Sequence, residues 1–548
     1  MIGSRVGAIA AGSSGLVRVR TLGNGAAEMV TATPRSVADA MGRAARCEDL
    51  AVLVFDAALP EPDEALLARL VDGPADVWHA GVALGLDGQP RMWDHVDPLS
   101  MFSARVDPTI EVTSWRVSLR AVLVRTVVLD QLGGPDPMFE TLMGAGLDAG
   151  LRWIVGGALV RHVPSLVPEG AAPDGTPSNA DSLRIVVKNR GRTWGGWALQ
   201  RSVMTREVGL GEAPALVSEL MRSDRTVPPH YRSPGPVVDR AGTDRTVSVI
   251  LPTVDRYSYL ESVLHQMAAQ TVAPHEVIIV DQTPLDHRRR DLADIESDLP
   301  VTVIEIPEPG QSTARNAAIE MAAGELILFL DDDLDIEEGV LAGHAERLNH
   351  GIDSVSGGVD DATAGPPPEG FRHRRASDVF PAGNSIVRRS ALQRSGLFDP
   401  AFDHGSRADH DLGMRLHLSG AQLVYDPDVE VYHHHAPVGG LRTHDARTTT
   451  RAGARRSLTE RNLPSVTELY LGRKYFTDEQ RAEGRRIALL STLSGEGSIW
   501  RRLQRAAVQS ALLPSTWRRL RDADRAAADL YAARPPTPTL EQPGGVER

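Results

Sequence analysis

The chain has 548 residues, of which 42% are hydrophobic and 24% charged, a composition that excludes a wholly disordered chain and predicts several packed domains. Its net charge of −13 argues against nucleic acid as a general partner. Cys47 is the only cysteine, so no disulfide can form within the chain, and no apolar run reaches the roughly 18 residues of a spanning helix. These features are typical of a cytoplasmic protein.

Composition along the chain predicts five regions. The apolar stretch within residues 1–20 is interrupted by glycines, which favours a first β-strand over a signal peptide. Stretches rich in proline, glycine and polar residues then interrupt the chain at 167–178, at 227–236 and from Pro535. They delimit an N-terminal domain (1–165), a linker and helical connector (166–240), a central domain (241–440), a helical region (441–534) and a disordered tail (535–548).

The central domain alternates apolar strand-like segments with helix-like segments. Strands are predicted at Val247–Thr253, Glu276–Asp281, Val301–Ile306 and Glu325–Asp333, and helices at Tyr259–Gln270 and Gln311–Ala323. Apolar strands linked by helices predict a mostly parallel sheet that is covered on both faces. Ligands of such sheets bind beyond the carboxyl ends of the strands, where Asp281 and Asp331 lie.

An internal repeat relates the N-terminal domain to the central one. Residues 133–164 match residues 396–427 without a gap, at a constant offset of 263. Upstream, the apolar segment that ends at Asp56 resembles the segment that ends at Asp331, so Asp56 aligns with Asp331. A gapless match of this length predicts two tandem domains of one fold.

The acidic triplet Asp331–Asp333 directly follows an apolar strand. A divalent cation bound to a diphosphate takes hard oxygen ligands, usually one or two carboxylates together with phosphate oxygens and water. The alternative is a helix N-cap cluster, because Asp335, Glu337 and Glu338 follow. A strand that ends directly in the triplet favours the ion.

The segments around the triplet have a characteristic order over about 190 residues: VSVILPTVDRYSYL, PHEVIIVDQT, GQSTARNAAIEMAAGELILFLDDD, PAGNSIVRRSALQRSGLFDPAF, ADHDLGMRLHLSG and DPDVEVYHHH. This order resembles that of the family 2 glycosyltransferases, which have the GT-A fold. The resemblance implies an α/β protein with tandem GT-A-like domains, each a Rossmann-like, mostly parallel sheet, and a C-terminal helical region. The N-terminal domain is then a degenerate copy.

The resemblance also implies roles for individual residues. Asp331 and Asp333 match the family's Asp-x-Asp metal ligands, for Mn²⁺ or Mg²⁺, and His433 matches a late histidine ligand. Since side chains alternate along a strand, at most His433 and His435 of the histidine run face the same way. The residues expected to contact the nucleotide-sugar donor, most commonly a UDP-sugar, are Pro252, Thr253, Arg256, Asp281, Arg315, Asn316, Asp331 and Asp332.

A general base is implied at the start of a helix beneath the acceptor. Asp409 matches the base, although Ala408 replaces the usual glutamate before it. Alternatively, Asp409 or Asp411 caps the helix. Asp411 falls on Asp148 in the internal copy, whereas Asp409 falls on Gly146. Because a residue kept in a copy that has lost activity is more often structural, we assign the cap to Asp411 and the base to Asp409.

The N-terminal copy lacks two of these groups. Asp56 remains, but Asp333 is matched by Ala58, and the base position by Gly146. The first domain is therefore predicted not to transfer sugar. Holding the acceptor, mediating assembly and supporting the second domain all stay open as roles for it.

The C-terminal region differs in charge from the rest of the chain. Residues 441–548 carry 20 basic and 12 acidic residues, a net of +8, and the remainder has a net of −21. Helical stretches with Trp500 and Trp517 among arginines suit peripheral contact with anionic lipids. A helix packed on the catalytic domain, with a solvated basic face, is the favoured interpretation.

The sequence thus predicts an inverting, metal-dependent glycosyltransferase that moves a sugar from a nucleotide sugar to a hydroxyl of a glycan, lipid-linked or other acceptor, as in polysaccharide biosynthesis. Peripheral contact with the inner face of the membrane is an open alternative. A sugar nucleotidyltransferase is disfavoured, because no glycine follows the first strand in LPTVDRYSYL. A non-catalytic sugar-nucleotide-binding or scaffold protein stays open because of Ala408. The sequence specifies neither the sugar nor the oligomeric state.

Overall fold

The computed structural model describes residues 15–22, 27–46, 50–84, 91–233, 245–295, 298–348, 351–360, 367–437, 439–441 and 457–541. The chain divides into two compact units, each with its own β-sheet. The first comprises Met1–Val237 with Arg372–Ala376, and the second comprises Val238–Phe371 with Ser377–Arg548. Residues 1–14, which include most of the predicted first strand, lie outside the described residues, as does Cys47.

The first unit combines short strands with helices. Its strands are β1 (Leu16–Thr21), β2 (Glu28–Thr31), β3 (Ala51–Asp56), β4 (Val77–His79), β5 (Val112–Thr113), β6 (Ala121–Arg125) and β7 (Val160–His162). Its helices are α1 (Pro34–Ala44), α2 (Glu64–Val71), α3 (Arg91–Asp94), α4 (Thr126–Leu132), α5 (Leu142–Gly156), α6 (Asn179–Arg190), α7 (Arg192–Met204) and α8 (Ala213–Arg222). The sheet order is β2-β1-β3-β6-β4-β7-β5.

The second unit contains the longer sheet. The strands that follow in the chain are β8 (Val247–Thr253), β9 (Glu276–Asp281), β10 (Val301–Glu305), β11 (Leu326–Leu330), β12 (Leu334–Ile336), β13 (Ser354–Asp360), β14 (Arg375–Ala376, grouped with the first unit), β15 (Asn384–Arg388) and β16 (Leu423–His433). The helices are α9 (Tyr257–Ala268), α10 (Gln311–Met321), α11 (Val340–Arg347), α12 (Arg389–Ser395), α13 (Ala408–Leu418), α14 (Val466–Tyr475), α15 (Asp478–Ser491) and α16 (Ile499–Ala533). The order is β10-β9-β8-β11-β15-β13-β16-β12.

Strand direction differs between the two sheets. In the second sheet β8 to β11 form parallel pairs, which helices α9 and α10 connect in the usual way. In the first sheet, among the described strands, only β4 and β7 pair in parallel. The predicted α/β architecture with two sheets is confirmed. The first sheet differs from the expected parallel pattern, because its other described pairs are antiparallel, beginning with the hairpin of β1 and β2 beside β3.

The remaining strands repeat between the units in one register. Val124 of β6 and Val160 of β7 both lie opposite Val77 of β4. The residues 263 positions later, Val387 and Leu423, likewise lie opposite one residue of β13. Strand β6 and helix α4 coincide with β15 and α12 at the same offset. The two sheets thus share one pattern over this half.

This register also relates Asp56 to Asp331. Ala51 of β3 lies opposite Arg125, and Leu326 of β11 lies opposite Arg388. Each aspartate is five residues beyond the first member of its pair. The two aspartates therefore occupy equivalent positions at the ends of β3 and β11.

A lysine on the helix after each sheet makes the same ion pairs. Lys188 of α6 lies 2.8 Å from the carboxylates of Asp136 and Asp148. Lys474 of α14 pairs with the aspartates 263 positions further on, at 2.8 and 2.5 Å. The first unit therefore extends past the predicted boundary at residue 165, because Lys188 ties α6 to it by the same ion pairs with which Lys474 ties α14 to the second unit. Helices α7 and α8 belong to the same compact unit.

The C-terminal region contributes to the core of the second unit. Tyr470 of α14 is fully buried, and its ring centroid lies 5.3 Å from that of Phe402. The same apolar cluster includes Phe329 of β11 and Ala527 of α16. Helices that the sequence assigns to a separate region are therefore part of this unit's packing.

The proline-rich tail is ordered as far as Glu541. Leu540 is buried in the core cluster, and the N–H of Leu397 donates to the carbonyl of Pro538 at 2.8 Å. The prediction of disorder is therefore wrong for residues 535–541, because apolar burial and a backbone hydrogen bond outweigh their composition. Residues 542–548 lie outside the described residues.

Candidate active site

The acidic triplet follows β11, whose five residues are all buried. The Asp331 side chain is 36% exposed, whereas Asp332 and Asp333 are 4% and 1% exposed. An Asp331 carboxylate oxygen lies 3.4 Å from Arg315 Nη2. The end of the strand therefore presents one carboxylate at the surface and holds two in the interior.

Asp332 belongs to a buried polar cluster with the loop after β8. The Thr253 hydroxyl donates to Asp332 Oδ2 at 2.7 Å, and Arg256 Nη1 donates to Oδ1 at 3.0 Å. Burial raises the pKa of Asp332 to about 6, against the opposing charge of Arg256. Three residues expected at the donor are thus bound to one another, and they fasten the β8 loop to the triplet.

Asp333 is compensated on several sides. Arg256 Nη1 lies 3.1 Å from Oδ2, which also accepts from the backbone N–H of Ala436 at 2.9 Å. His433 Nε2 lies 3.1 Å from Oδ1. Burial acts to raise the pKa of Asp333, but the contacts with His433, Ala436 and Arg256 outweigh it and lower the pKa to about 2. Asp333 is therefore held as a carboxylate.

The chemistry around Asp333 fits a divalent cation, since carboxylates and an imidazole are suitable ligands. The 3.1 Å between Asp333 Oδ1 and His433 Nε2 is close to the roughly 3 Å between neighbouring ligands of an octahedral ion with bonds of about 2.1 Å. Within the described ranges, no three His, Cys, Asp or Glu side chains form a ready metal cage. An ion would therefore take further ligands from Asp331, a diphosphate and water.

The histidine run divides as expected, although β16 ends at His433 and His435 has a left-handed φ of 51°. The rings of His433 and His435 lie on one side, with centroids 3.9 Å apart. His434 instead lies 2.9 Å from the carboxylate of Asp335. The His433 ring contacts Asp333 of the acidic triplet, so His433 is the histidine placed to join an ion there.

Asp281, at the end of β9, is fully buried. The Tyr257 hydroxyl donates to its Oδ2 at 2.8 Å, and the Thr283 N–H donates to its Oδ1 at 2.9 Å. Both carboxylate oxygens are thus engaged inside the protein, and Tyr257, which is half-buried, is the member of this group nearest the surface. Pro252 lies in β8 opposite Val280. A direct contact of Asp281 with a nucleobase stays a prediction.

Helix α10 brings Arg315 to the triplet. Arg315 is 8% exposed, and its guanidinium also lies over the Phe398 ring, 5.8 Å from the centroid. Asn316 is engaged elsewhere, because its amide donates to the Phe398 carbonyl at 2.8 Å and accepts from the Phe398 N–H at 2.9 Å. Asn316 therefore fixes α10 to the segment after α12, and its contact with a donor stays a prediction.

Asp409 lies in the first turn of α13 and is half-buried. Burial raises its pKa to about 6; the charge of Arg315 opposes this rise and that of Asp331 adds to it. Asp331, Arg315 and Asp409 thus form one electrostatically coupled group. The structure therefore brings these three predicted site residues together, and their roles stay predictions.

Asp411 has a different role from the predicted one. It is fully buried, and it accepts from Tyr475 at 2.8 Å, from Arg415 at 3.0 Å and pairs with Lys474 at 2.5 Å. Helix α13 begins after Arg407, which has a left-handed φ of 84° and no capping side chain. The prediction that Asp411 caps this helix is wrong: it anchors α14 to α13.

The equivalent position in the first unit is closed by an ion pair. Asp56 is 2% exposed, and Arg120 Nε donates to its Oδ2 at 2.9 Å. The residue 263 positions after Arg120 is Gly383, where an added Cβ would lie 2.6 Å from Asp331 Oδ2. An arginine thus fills one site, and a glycine leaves the other open.

Sequence reasoning missed Gly383 and Tyr257. Extending the repeat upstream would have paired Gly383 with Arg120, which was a usable signal. The contact of Tyr257 with Asp281 joins residues 24 positions apart in sequence, and the sequence gives no sign of it.

Comparison with known proteins gives the family of the chain. The model of glycosyl transferase family 2 matches residues 248–408. The glycosyltransferase AglE of Haloferax volcanii is 30% identical over 217 residues, which cover 36% of this chain and 69% of AglE. The chain belongs to glycosyl transferase family 2. Its second unit therefore contains a family 2 glycosyltransferase domain, as the resemblance implies.

Two further matches differ in how much of each chain is shared. The O-antigen biosynthesis protein RfbC of Myxococcus xanthus is 26% identical over 344 residues, which span 57% of this chain but only a quarter (25%) of RfbC. Among solved structures, a mannosyltransferase of Pyrobaculum calidifontis in complex with GDP-Man and Mn²⁺ is 19% identical, with a TM-score of 0.35 over 53% of this chain and 87% of its own.

Proposed function

We propose that the family 2 domain transfers a sugar, with inversion, from a nucleoside diphosphate sugar to a hydroxyl group, and that Asp409 is the general base. The observation that carries the proposal is that Asp331 and Arg315, which lie 3.4 Å apart, are near enough to Asp409 for their charges to act on its carboxylate. This arrangement joins a carboxylate with a raised pKa, a fixed cation and an exposed strand-end carboxylate in one place. Catalytic sites commonly gather such perturbed groups.

The reaction requires one proton transfer. The Asp409 carboxylate takes the proton of the acceptor hydroxyl while that oxygen forms a bond to the anomeric carbon. The bond from this carbon to the diphosphate oxygen breaks, and its electron pair leaves with the nucleoside diphosphate. A carboxylate with a pKa of about 6 is a stronger base than an ordinary aspartate, yet is still largely ionised at neutral pH.

Charge compensation for the leaving diphosphate comes from fixed cations. Arg315 lies beside Asp331, and Arg256 lies between Asp332 and Asp333. A bound Mn²⁺ or Mg²⁺, held by Asp331, Asp333 and His433, would neutralise the negative charge of the departing diphosphate.

A UDP-sugar is the proposed donor, held by the β8 loop from Pro252 to Arg256 and by the Asp281–Tyr257 pair. A glycan or lipid-linked acceptor is the proposed second substrate, since RfbC is named as an O-antigen biosynthesis protein. Both choices rest on family likeness, because the described side chains select for no particular sugar.

The first unit is proposed to be a degenerate copy that does not transfer sugar. The buried Arg120–Asp56 pair occupies the position at which Asp331 is exposed in the family 2 domain. Gly146 has no carboxylate to act as base. The first unit keeps several strands and helices of the repeat but lacks an accessible strand-end carboxylate and a base.

Ligand-dependent thermal stability tests the proposal. A panel of nucleotide sugars is screened against the full chain with Mn²⁺, because a ligand that binds only the folded state raises Tm. We expect at least one nucleotide sugar to raise Tm in the wild type and to raise it less in Asp331→Asn. If no nucleotide sugar changes Tm, or if Asp331→Asn responds like the wild type, the proposed donor site is wrong.

A further inference from the structure

Helix α16 (Ile499–Ala533) has two contrasting faces. One face is buried in the second unit. Its fully or nearly buried residues are Arg505, Gln509, Thr516, Leu520 and Ala527. Their spacing by four or seven residues places them along one side of the helix.

The other side carries large apolar residues in contact with solvent. Trp500 is 72% exposed, Leu503 53% and Trp517 51%, and Ile499 and Leu513 are 64% and 40% exposed. Ile499 and Leu503, like Leu513 and Trp517, are four residues apart and therefore lie one turn from each other. Two exposed tryptophans on one helix are uncommon on a surface that faces only water.

The charge of this segment is of one sign. Residues 499–521 contain six arginines and no acidic residue, although the whole chain has a net charge of −13. Arg518, Arg519 and Arg521 are exposed beside Trp517. A solvated helix in an acidic protein has no need of this separation, whereas an anionic surface would attract it.

We propose that the exposed face of α16 docks the protein on a bilayer surface that contains anionic lipids. Tryptophan and leucine enter the boundary between headgroups and acyl chains, and the flanking arginines bind lipid phosphates. The helix lies along the surface, because one face of it is buried in the second unit and the apolar and basic residues are exposed on the other. Tryptophan is favoured at this boundary because its ring is apolar and its N–H is polar.

This surface contradicts the favoured sequence interpretation only in part. Helix α16 does pack on the second unit, as that interpretation states, but its outer face is apolar as well as basic. An acidic protein partner would also be attracted by the arginines and could cover the tryptophans. We favour a bilayer because tryptophans that are more than half exposed on the free chain share a segment with six arginines and no acidic residue, and both residue types suit the headgroup boundary of an anionic membrane.

Vesicle co-sedimentation with the full chain tests the proposal. Vesicles of phosphatidylcholine are compared with vesicles of equal parts phosphatidylcholine and phosphatidylglycerol, at low and at high salt. The wild type is expected to sediment with the anionic vesicles only, and less at high salt. Arg518→Gln with Arg519→Gln should weaken binding by about thirtyfold, from the usual contribution of two basic residues near an anionic surface.

The apolar contribution is tested separately by Trp500→Ala with Trp517→Ala. This variant should lose most binding, while Leu210→Ala, at an 81% exposed site in the first unit, should bind like the wild type. Circular dichroism checks that all variants are folded.

Three results would overturn the proposal. The first is equal binding to both kinds of vesicle, and the second is unchanged binding by the tryptophan variant. The third is that the wild type does not sediment with either kind of vesicle. If the tryptophan variant then also changes its oligomeric state on size-exclusion chromatography, this face is a contact between copies of the chain. Failure of the test leaves the proposed glycosyl transfer untouched, because no residue of α16 belongs to the active site.

Discussion

Gly383 is expected to control the position of the Asp331 carboxylate. In Gly383→Ala the new Cβ would lie 2.6 Å from Asp331 Oδ2 and 3.1 Å from its Cγ. An ordinary contact is about 3.5 Å, so the carboxylate has to move by roughly 0.9 Å. A misplacement of about 1 Å in an active site can cost about a hundredfold in rate. We therefore expect kcat/KM to fall by about tenfold to a hundredfold.

The fold itself should tolerate this substitution, because the displaced atoms are the partly exposed end of a rotatable side chain. The assay is release of nucleoside diphosphate from the donor found in the panel, with Tm measured in parallel. Gly339→Ala is the matched control, since no atom lies within 4 Å of its added Cβ. Wild-type kcat/KM in Gly383→Ala, or a loss of activity explained by a large fall in Tm, would refute the reasoning.

Three further predictions concern the proposed base and the metal. Asp409→Asn should abolish transfer while leaving donor binding and Tm nearly unchanged. Asp411→Asn should instead lower the free energy of unfolding by about 3–5 kcal/mol, because it breaks buried ion pairs. The opposite pattern in transfer assays and urea unfolding would reverse the two assignments. Because the base acts as a carboxylate and burial raises the Asp409 pKa to about 6, kcat/KM should be constant at neutral pH and fall as the pH drops through about 6. A pH profile that is flat down to pH 4.5, the region of an ordinary carboxyl, would contradict this. His433→Ala should weaken Mn²⁺-dependent donor binding in calorimetric titrations and His434→Ala should not, and equal effects would remove His433 from the proposed ligands.

The local pattern of apolar and acidic residues was enough to predict the strands that carry the site. Strands β8 and β9 have the predicted bounds, since both are apolar runs that only a covered sheet can bury. Asp331 follows β11 as predicted, because a strand's end is marked in the sequence by the change from apolar to acidic residues. Strand β6 and helix α4 match β15 and α12 at the offset of 263, since a match without gaps keeps the spacing of the elements within it.

The partners of each charged group depend on distant residues, and local patterns do not reveal them. Asp332 and Asp333 share Arg256, more than 70 positions earlier in the chain, and burial decides that they face inward. Asp411 binds Lys474 of α14, so a residue that resembles a helix cap is an anchor between helices. Composition predicts a disordered tail for the same reason, because the core that buries Leu540 is formed by residues far from it in sequence.

Transfer or hydrolysis of a nucleotide sugar tests the central claim most directly. The wild-type chain, Asp331→Asn and Asp409→Asn are each incubated with Mn²⁺ and the nucleotide sugars that raise Tm, and released nucleoside diphosphate is measured over time. We predict release by the wild type, together with loss of release in both variants, while Arg120→Lys in the first unit retains it. Release at the wild-type rate by Asp331→Asn and Asp409→Asn, or none by the wild type with any nucleotide sugar and glycan or lipid-linked acceptor, would contradict the claim that the second unit is an active glycosyltransferase.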